Sequence, residues 1–257
     1  MQSPSTTPTY VEHPATRLPG WLGVATVVVL GVSAIALFIS GAITDQVPWI
    51  LGAVVLMLLG VFLALGLLVL QPNQASVIIV LGGYRGTISD PGFWWVNPLS
   101  VVERRLVSLR ARNFITQQSK VNDANGNPIN ISAVVVWQVD SPSRAVFEVQ
   151  DYENFVTLQS ETAVRHLARS YPYDAYGESG STVTLTGDAE AVAHTLLEEL
   201  HDRLEVAGVR VIETRLTDLS YAPEIAEVML RRQQATAVVA ARTRIVEGAV
   251  GMVKLAL

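Results

Sequence analysis

Residues 21–39, WLGVATVVVLGVSAIALFI, and residues 49–70, WILGAVVLMLLGVFLALGLLVL, decide how the rest of the chain is read. Neither stretch contains Lys, Arg, Asp or Glu. Each holds roughly 20 residues, enough to cross about 30 Å of hydrocarbon as a helix. A charge at that depth is costly unless it is paired. The connection, Ser40 to Pro48, is nine residues long and carries Asp45. Two crossings so closely joined must form a hairpin, which returns the chain to the side it left. The flanking sequence is too small to wrap two buried core helices. A cleaved signal peptide would not begin so late or be followed at once by a second apolar run. Trp21 and Trp49 open the two runs, as interfacial aromatics do, and favour full spans over a hairpin dipping into one leaflet. We therefore expect a two-helix transmembrane hairpin over residues 21–71, with spans at 21–39 and 49–70 and membrane contact at Trp21 and Trp49.

Of the 257 residues, about 185 follow the hairpin, enough for one medium or two small domains. The formal net charge is -5, and from residue 73 onward 17 Lys/Arg face 21 Asp/Glu. Nucleic acid would require a basic patch, and none is visible. The chain has no cysteine, which excludes disulfides, thiol catalysis and thiolate metal sites. The connecting loop has no Lys or Arg, whereas Arg17 precedes the hairpin and Arg85, Arg104 and Arg105 follow it. The positive-inside bias points the large domain of a multi-pass cell-membrane protein toward the cytoplasm.

Residues 1–20 are rich in Pro, Ser and Thr without apolar periodicity, and read as a disordered tail. Beyond the hairpin, Ala75–Leu81 reads as a strand, Gly82-Gly83 as a turn or bulge, and Tyr84–Ile88 as its hairpin partner. Asp90-Pro91-Gly92 forces a turn into Phe93, Trp94 and Trp95. Such a cluster either fills a core or places Phe93 or Trp94 at the lipid headgroups. Val101–Asn113 is expected to be one strand, and Asn125-Gly126 suits a type I′ hairpin turn. Ile129–Val139 is the clearest strand, with Ile129, Ile131, Ala133, Val135, Trp137 and Val139 on one face.

Asp151 can cap a helix reaching Ser170, with Phe155, Leu158 and Thr162 along one side. Residues 174–187 read as a polar loop. A second helix from Asp188 carries an apolar stripe of Ala189, Ala193, Leu196, Leu200 and Leu204, and Gly208 stops it. Val209–Leu219 returns to strand, with Ile212, Thr214 and Leu216 on one face. From Glu224 to Leu257 the pattern is a helix rich in Ala and charge, about 50 Å long. Its apolar positions, including Ala226, Val228, Leu230, Ala237, Val239 and Ala240, spread too widely for one seam and suit a rod packed between two others. The sequence stops inside this helix without a cap, which leaves open whether the polypeptide continues past Leu257.

A search for chemistry finds little. The histidines are His13, His166, His194 and His201, and none shows zinc-ligand spacing. Glu198, Glu199, Asp202 and Glu205 form an acidic strip of the kind that usually faces solvent. Ser160 has no base one turn away, and no phosphate-binding loop is present. We expect no catalytic residue, no cofactor and no metal.

In order and spacing, a set of short segments resembles the SPFH, or band 7, superfamily of stomatin, prohibitin, flotillin and bacterial relatives. The segments are Pro72-Asn73-Gln74-Ala75, Gly86-Thr87-Ile88, Pro91-Gly92-Phe93 and Trp95-Val96-Asn97-Pro98. They continue with Val121-Asn122-Asp123, Asn125-Gly126-Asn127-Pro128, Ala133–Trp137, Asp151-Tyr152-Glu153-Asn154 and Gln159-Ser160-Glu161 with Arg165. The last are Ser170-Tyr171-Pro172-Tyr173-Asp174, Tyr221–Ala226 and Arg232-Gln233-Gln234-Ala235. The resemblance implies an α+β fold: a transmembrane hairpin, an SPFH domain in two subdomains over 72–222 with the first against the membrane, and a long oligomerisation helix over 223–257. It implies a non-enzymatic, membrane-anchored scaffold whose copies assemble side by side into rings or cages around a membrane patch. Its implied partners are lipid, further copies of itself, and a client membrane protease or NfeD-type protein. The alternative is a regulatory subunit in a small assembly on one protease or channel. Charges on the long helix, Glu224, Glu227 and Glu247 against Arg231, Arg232, Arg242 and Arg244, are expected to pair between copies and fix register.

Overall fold

The computed structural model describes residues 12–101, 103–174 and 183–256. Two apolar helices lead into a mixed α+β body with several small sheets, and a long helix follows. The chain divides into two compact units. One comprises the described residues up to Asn113 with Val136–Leu158 and His201–Ile212; the other comprises Phe114–Val135, Gln159–Leu200 and Glu213 onward.

Helix α1 spans Gly20–Thr44 and α2 spans Val47–Ala64. At 1.5 Å per residue they are about 37 and 27 Å long. Only 11% of either span's most apolar window is buried within the protein, so these are not core helices of a soluble fold. The turn between them is Asp45-Gln46, much tighter than the sequence suggested. Asp45 takes a left-handed conformation (φ 56°) and caps α1 on the carbonyl of Gly41. Gly41 makes the tight turn feasible: a Cβ there would lie 2.9 Å from Ile50 Cγ1.

The second apolar run does not stay helical to Leu70. Leu67–Leu70 form a strand, β2. The helix ends at Ala64, and Gly66 in the turn that follows passes so close to the next segment that a Cβ there would lie 2.4 Å from the carbonyl of Val96. Apolar composition alone cannot separate a membrane helix from an apolar strand that continues it.

Of the expected tail, residues 1–11 lie outside the described residues. The remainder is ordered by pairing. His13 and Ala15 exchange backbone hydrogen bonds with Thr87 (2.9 and 3.2 Å), and Leu18–Pro19 form a short strand, β1. The first unit then contains β3 (Gln74–Val80), β4 (Gly83–Ile88), β5 (Gly92–Trp95), β6 (Arg105–Ser108) and the short helix α3 (Pro142–Phe147). One sheet has the order β1-β5-β2 and another β4-β3-β6, all antiparallel. The β3–β4 turn is Leu81-Gly82, both at positive φ (52° and 77°), as a type I′ hairpin needs. A bulge follows on β4 opposite Ile78 and Ile79.

The single strand expected over Val101–Asn113 is broken. Residues 98–100 form a helical turn, β6 occupies Arg105–Ser108, and β7 begins at Arg112 and runs to Ile115. Between the two strands the amide of Arg110 donates to Ser108 Oγ (3.4 Å).

Strand β8 (Ser119–Asn122) pairs antiparallel with β9 (Pro128–Val139), and β9 also lies between β7 and β10 (Val209–Tyr221). The alternation read for β9 holds throughout: Ile129, Ile131, Ala133, Val135, Trp137 and Val139 are all buried. The Asn125-Gly126 turn is not type I′. Five residues, Asp123 to Asn127, join β8 to β9, and only Gly126 has positive φ. Buried Asp123 organises this loop. Its carboxylate accepts from the amides of Asn125 (2.9 Å), Asn127 (2.7 Å) and Tyr173 (3.1 Å), and from Asn127 Nδ2.

Helix α4 is Tyr152–Ser170, and Asp151 caps it by accepting from the amides of Glu153 and Asn154. Its buried face is Val156, Ser160, Ala163, Val164, Leu167 and Ala168, whereas Leu158 and Thr162 lie on the exposed side. Helix α5 is Ala189–Leu204, with Val192, Leu196, Leu200 and Leu204 fully buried and Ala189 exposed. The buried stripe runs at i, i+4, i+8 in both helices, through Val156, Ser160 and Val164 in α4 and through Val192, Leu196 and Leu200 in α5. A helical turn over Glu205–Ala207 follows α5, and Gly208, at φ 63°, ends the helical segment as expected. Strand β10 buries Val209, Val211 and Thr214, so its inward parity shifts after Val211 and Ile212 is exposed. Of the expected loop, residues 175–182 lie outside the described residues, while Thr184 and Leu185 are buried. Helix α6 spans Pro223–Ala256.

Candidate functional site at the hairpin base

The sheet β1-β5-β2 has two apolar faces with different tasks. In its register Leu18 and Leu67 oppose Trp95, while Val69 opposes Phe93. These side chains share one face, because alternate residues of a strand point the same way. Pro19 and Leu68, opposite Trp94, share the other face. The second face joins the core of Ala15, Leu68, Leu70, Ile78, Ile88 and Val96, against which Trp94 packs. The first face meets the hairpin. A Cβ at Gly20 would lie 2.5 Å from the Phe93 ring, and one at Gly23 would lie 2.6 Å from the Trp95 ring. The two glycines let α1 lie directly on the aromatic strand.

The reading of the aromatic cluster therefore divides by residue. Phe93 sits on the hairpin side, edge-on to Trp21 with centroids 5.6 Å apart. Trp94 sits on the core side. Its Nε1 donates to the carbonyl of Asp90 (3.0 Å), and the Arg17 guanidinium stacks 4.1 Å above its ring. Arg17 is also ion-paired with Asp90. Trp95, which was not among the expected membrane contacts, ties β5 to the hairpin. Its Nε1 donates to the carbonyl of Leu63 in the last turn of α2. Arg104 adds a bond from its guanidinium to the carbonyl of Leu67. At the opposite end of the hairpin, Trp49 donates to Gln46 Oε1 (2.8 Å). Trp21 and Trp49 thus mark the two ends of the apolar pair, and Trp21 is 74% exposed.

The second candidate surface is α6. Met229 near its base is buried, but from Gln234 to Val250 every residue is exposed, including Val238, Val239, Ile245 and Val246. The charges along it are distributed unevenly. Glu224 pairs with Lys120, and Glu227 pairs with Arg231 one turn on, so these are engaged within the chain. Arg242, Arg244 and Glu247 are exposed further along, and Arg232 near the base is exposed as well.

The residues weighed for chemistry are scattered. His166 lies 3.1 Å from Glu199 and His194 lies 3.7 Å from Glu198, both on the surface, while His13 stacks on Tyr84. Ser160 Oγ is buried and has no hydrogen-bond partner. Among the described residues no group of three or more His, Cys, Asp or Glu side chains could hold a metal ion.

The SPFH domain / Band 7 family matches residues 68–248. The chain belongs to this family. SPFH domain proteins are structural scaffolds rather than enzymes. Mechanosensory protein 2 of Caenorhabditis elegans is 22% identical over 181 residues, 70% of this chain and 36% of that protein. An uncharacterised protein of Methanothermobacter thermautotrophicus is 23% identical over 186 residues, 72% of this chain and 55% of that protein. The stomatin homolog of Pyrococcus horikoshii is 21% identical over 183 residues, 71% of this chain and 65% of that protein. The chain thus spans between about a third and two thirds of the length of these relatives.

Proposed function

We propose that this SPFH domain chain is a membrane-anchored scaffold subunit. Many copies stand side by side and together enclose a patch of membrane in a ring or cage. The hairpin crosses the bilayer twice, the domain lies on the cytoplasmic side, and Phe93, Leu18 and Val69 rest with the hairpin base at the headgroup level. Client membrane proteins, such as a membrane protease or an NfeD-type protein, are held within the enclosed patch. The observation that carries this reading is the exposure of α6. A helix about 51 Å long needs tertiary packing for most of its stability. Here valines and isoleucines meet only solvent over most of that length. Neighbouring copies would supply the packing, and the hairpins would hold all copies parallel in one membrane.

The mass of the particle tests the reading. Light scattering on the detergent-solubilised chain should give many multiples of 27.8 kDa. A stable monomer at micromolar concentration, with α6 intact by circular dichroism, would overturn it.

A further inference from the structure

Resting on the membrane anchoring of the hairpin, though not on self-association, we propose that the segment before α1 and the end of β4 form a pocket for the headgroup of an amine-bearing zwitterionic phospholipid, a phosphatidylethanolamine. The pocket has a volume of about 260 Å³ and is lined by Glu12, His13, Arg17, Thr87, Ser89 and Asp90. Cavities that hold a drug-sized molecule run from roughly 300 to 1,000 Å³, so this one suits a headgroup rather than a larger ligand.

The chain fixes the charged groups around this opening. His13 and Ala15 are bonded to Thr87 through the backbone, and a Cβ at Gly86 would lie 2.6 Å from the amide nitrogen of Ala15, so the segment lies directly on β4. Glu12 is held by Ser141, whose hydroxyl donates to its carboxylate (2.9 Å). Arg17 is held over the Trp94 ring and against Asp90. The depth is set as well. Leu18 opposes Trp95, whose Nε1 donates to the carbonyl of Leu63 in the last turn of α2. Arg17 is the next residue, so it lies near the level at which the apolar helix ends. A guanidinium there meets the phosphate layer of a bilayer.

The charges select the ligand. Phosphate reaches Arg17, whose guanidinium has five N–H donors and spends only part of them on Asp90. A primary ammonium reaches the carboxylates of Glu12 and Asp90; the Asp90 side chain is 65% exposed and keeps acceptor capacity beyond its pair. A net anion such as phosphatidylglycerol would satisfy the guanidinium but be repelled by both carboxylates. A choline headgroup has no N–H to donate and is held best by open aromatic faces. The rings beside this pocket are already engaged, Trp94 by Arg17, and Tyr84 by His13 stacked at 4.8 Å and by Phe147 edge-on.

The full chain in detergent tests this with dihexanoyl phospholipids bearing ethanolamine, choline or glycerol headgroups. The ethanolamine form should raise the thermal midpoint by about 3 °C at about ten times its dissociation constant. The other two should bind at least about tenfold more weakly. Asp90→Asn and Glu12→Gln should each weaken the ethanolamine form about tenfold, the size of one lost charge-assisted bond, and bring it level with choline. Glu12→Gln keeps an acceptor for Ser141, so it reads the charge without freeing the segment. Glu103→Gln is the control, because Glu103 accepts from the amide of Gly82 and does not line the pocket; it should leave the preference intact. Equal shifts from all three lipids, or a preference that survives both Asp90→Asn and Glu12→Gln, would overturn the proposal. A matching shift from free phosphoethanolamine at the same concentration would overturn lipid as the occupant. Retention in vesicles after an alkaline wash reads the anchoring separately, so failure of the pocket and failure of the anchor are distinguishable.

Discussion

The indole Nε1 of Trp95 donates to the carbonyl of Leu63, 2.9 Å away and 32 residues earlier in the chain. That carbonyl belongs to the last turn of α2, where it also accepts from the amide of Gly66 (3.1 Å). The indole of β5 thus adds a second donor at the helix end and ties the strand to it.

Replacing Trp95 with Phe keeps an aromatic ring over Gly23 but removes the donor. We expect a loss of about 1 to 2 kcal/mol. Gly23→Ala should also destabilise, because its methyl would fall 2.6 Å from the Trp95 ring. Overpacking of this kind costs about 1 to 3 kcal/mol. Thermal unfolding in detergent reads both, and Gly31→Ala serves as the control, since a Cβ at Gly31 would meet nothing within 4 Å.

The topology of the hairpin can be read at its apex. Gln46 lies in the two-residue turn between α1 and α2. If the pair crosses fully, a Gln46→Cys variant in intact cells should react with a membrane-impermeant maleimide added outside. A cysteine placed at Ser119 on the large domain should react only after lysis. Labelling of the apex only after lysis would indicate a hairpin that dips without crossing, or the opposite orientation.

Asp123→Ala should be among the more damaging single changes in the second unit. It leaves the amides of Asn125, Asn127 and Tyr173 without their acceptor. Unsatisfied buried donors cost about 1 to 3 kcal/mol each. Water reaching the exposed loop tip will recover part of that, so we expect a total of about 3 kcal/mol in urea denaturation.

Tyr221 gives a pH dependence. Partial burial pushes its phenol well above the usual range, and the hydrogen bond to Asp174 with that carboxylate's charge pushes it further. The folded state therefore keeps a proton that the unfolded chain releases near pH 10. The resulting stability is complete below that pH and is lost as pH rises above it. Tyr221→Phe should cost about 1 kcal/mol at neutral pH through the lost hydrogen bond. It should also fall less steeply above pH 10 than the parent chain, as followed by denaturation midpoints across pH 8 to about 11.

Local rules carried far wherever one periodicity dominated. The β9 strand, the Asp151 cap and the Gly208 stop needed only alternation, a capping carboxylate and a residue tolerant of positive φ. They were less decisive where two readings shared one composition. Leu67–Leu70 are as apolar as the helix before them, and only pairing with Gly92–Trp95 makes them strand. The stripe on α4 was misplaced because Phe155 and Leu158 outweigh Val156 and Ala163 by size, although the latter are the buried pair. Asn125-Gly126 carried the signature of a two-residue turn, but four hydrogen bonds to one carboxylate held a longer loop. Nothing local set Trp95 apart from Trp94, since which of two adjacent tryptophans faces a helix depends on strand register.

The linear order of residues determined that two charge-free apolar helices precede an α+β body and a long exposed rod, because hydrophobic transfer and helical periodicity are properties of segments. Only the tertiary structure decided where the second helix ends, which aromatic meets it, and that residues 13–19 are tied down by pairing with Thr87 and with β5. Those outcomes depend on partners distant in sequence, whose contacts must outweigh the conformational entropy lost in bringing them together.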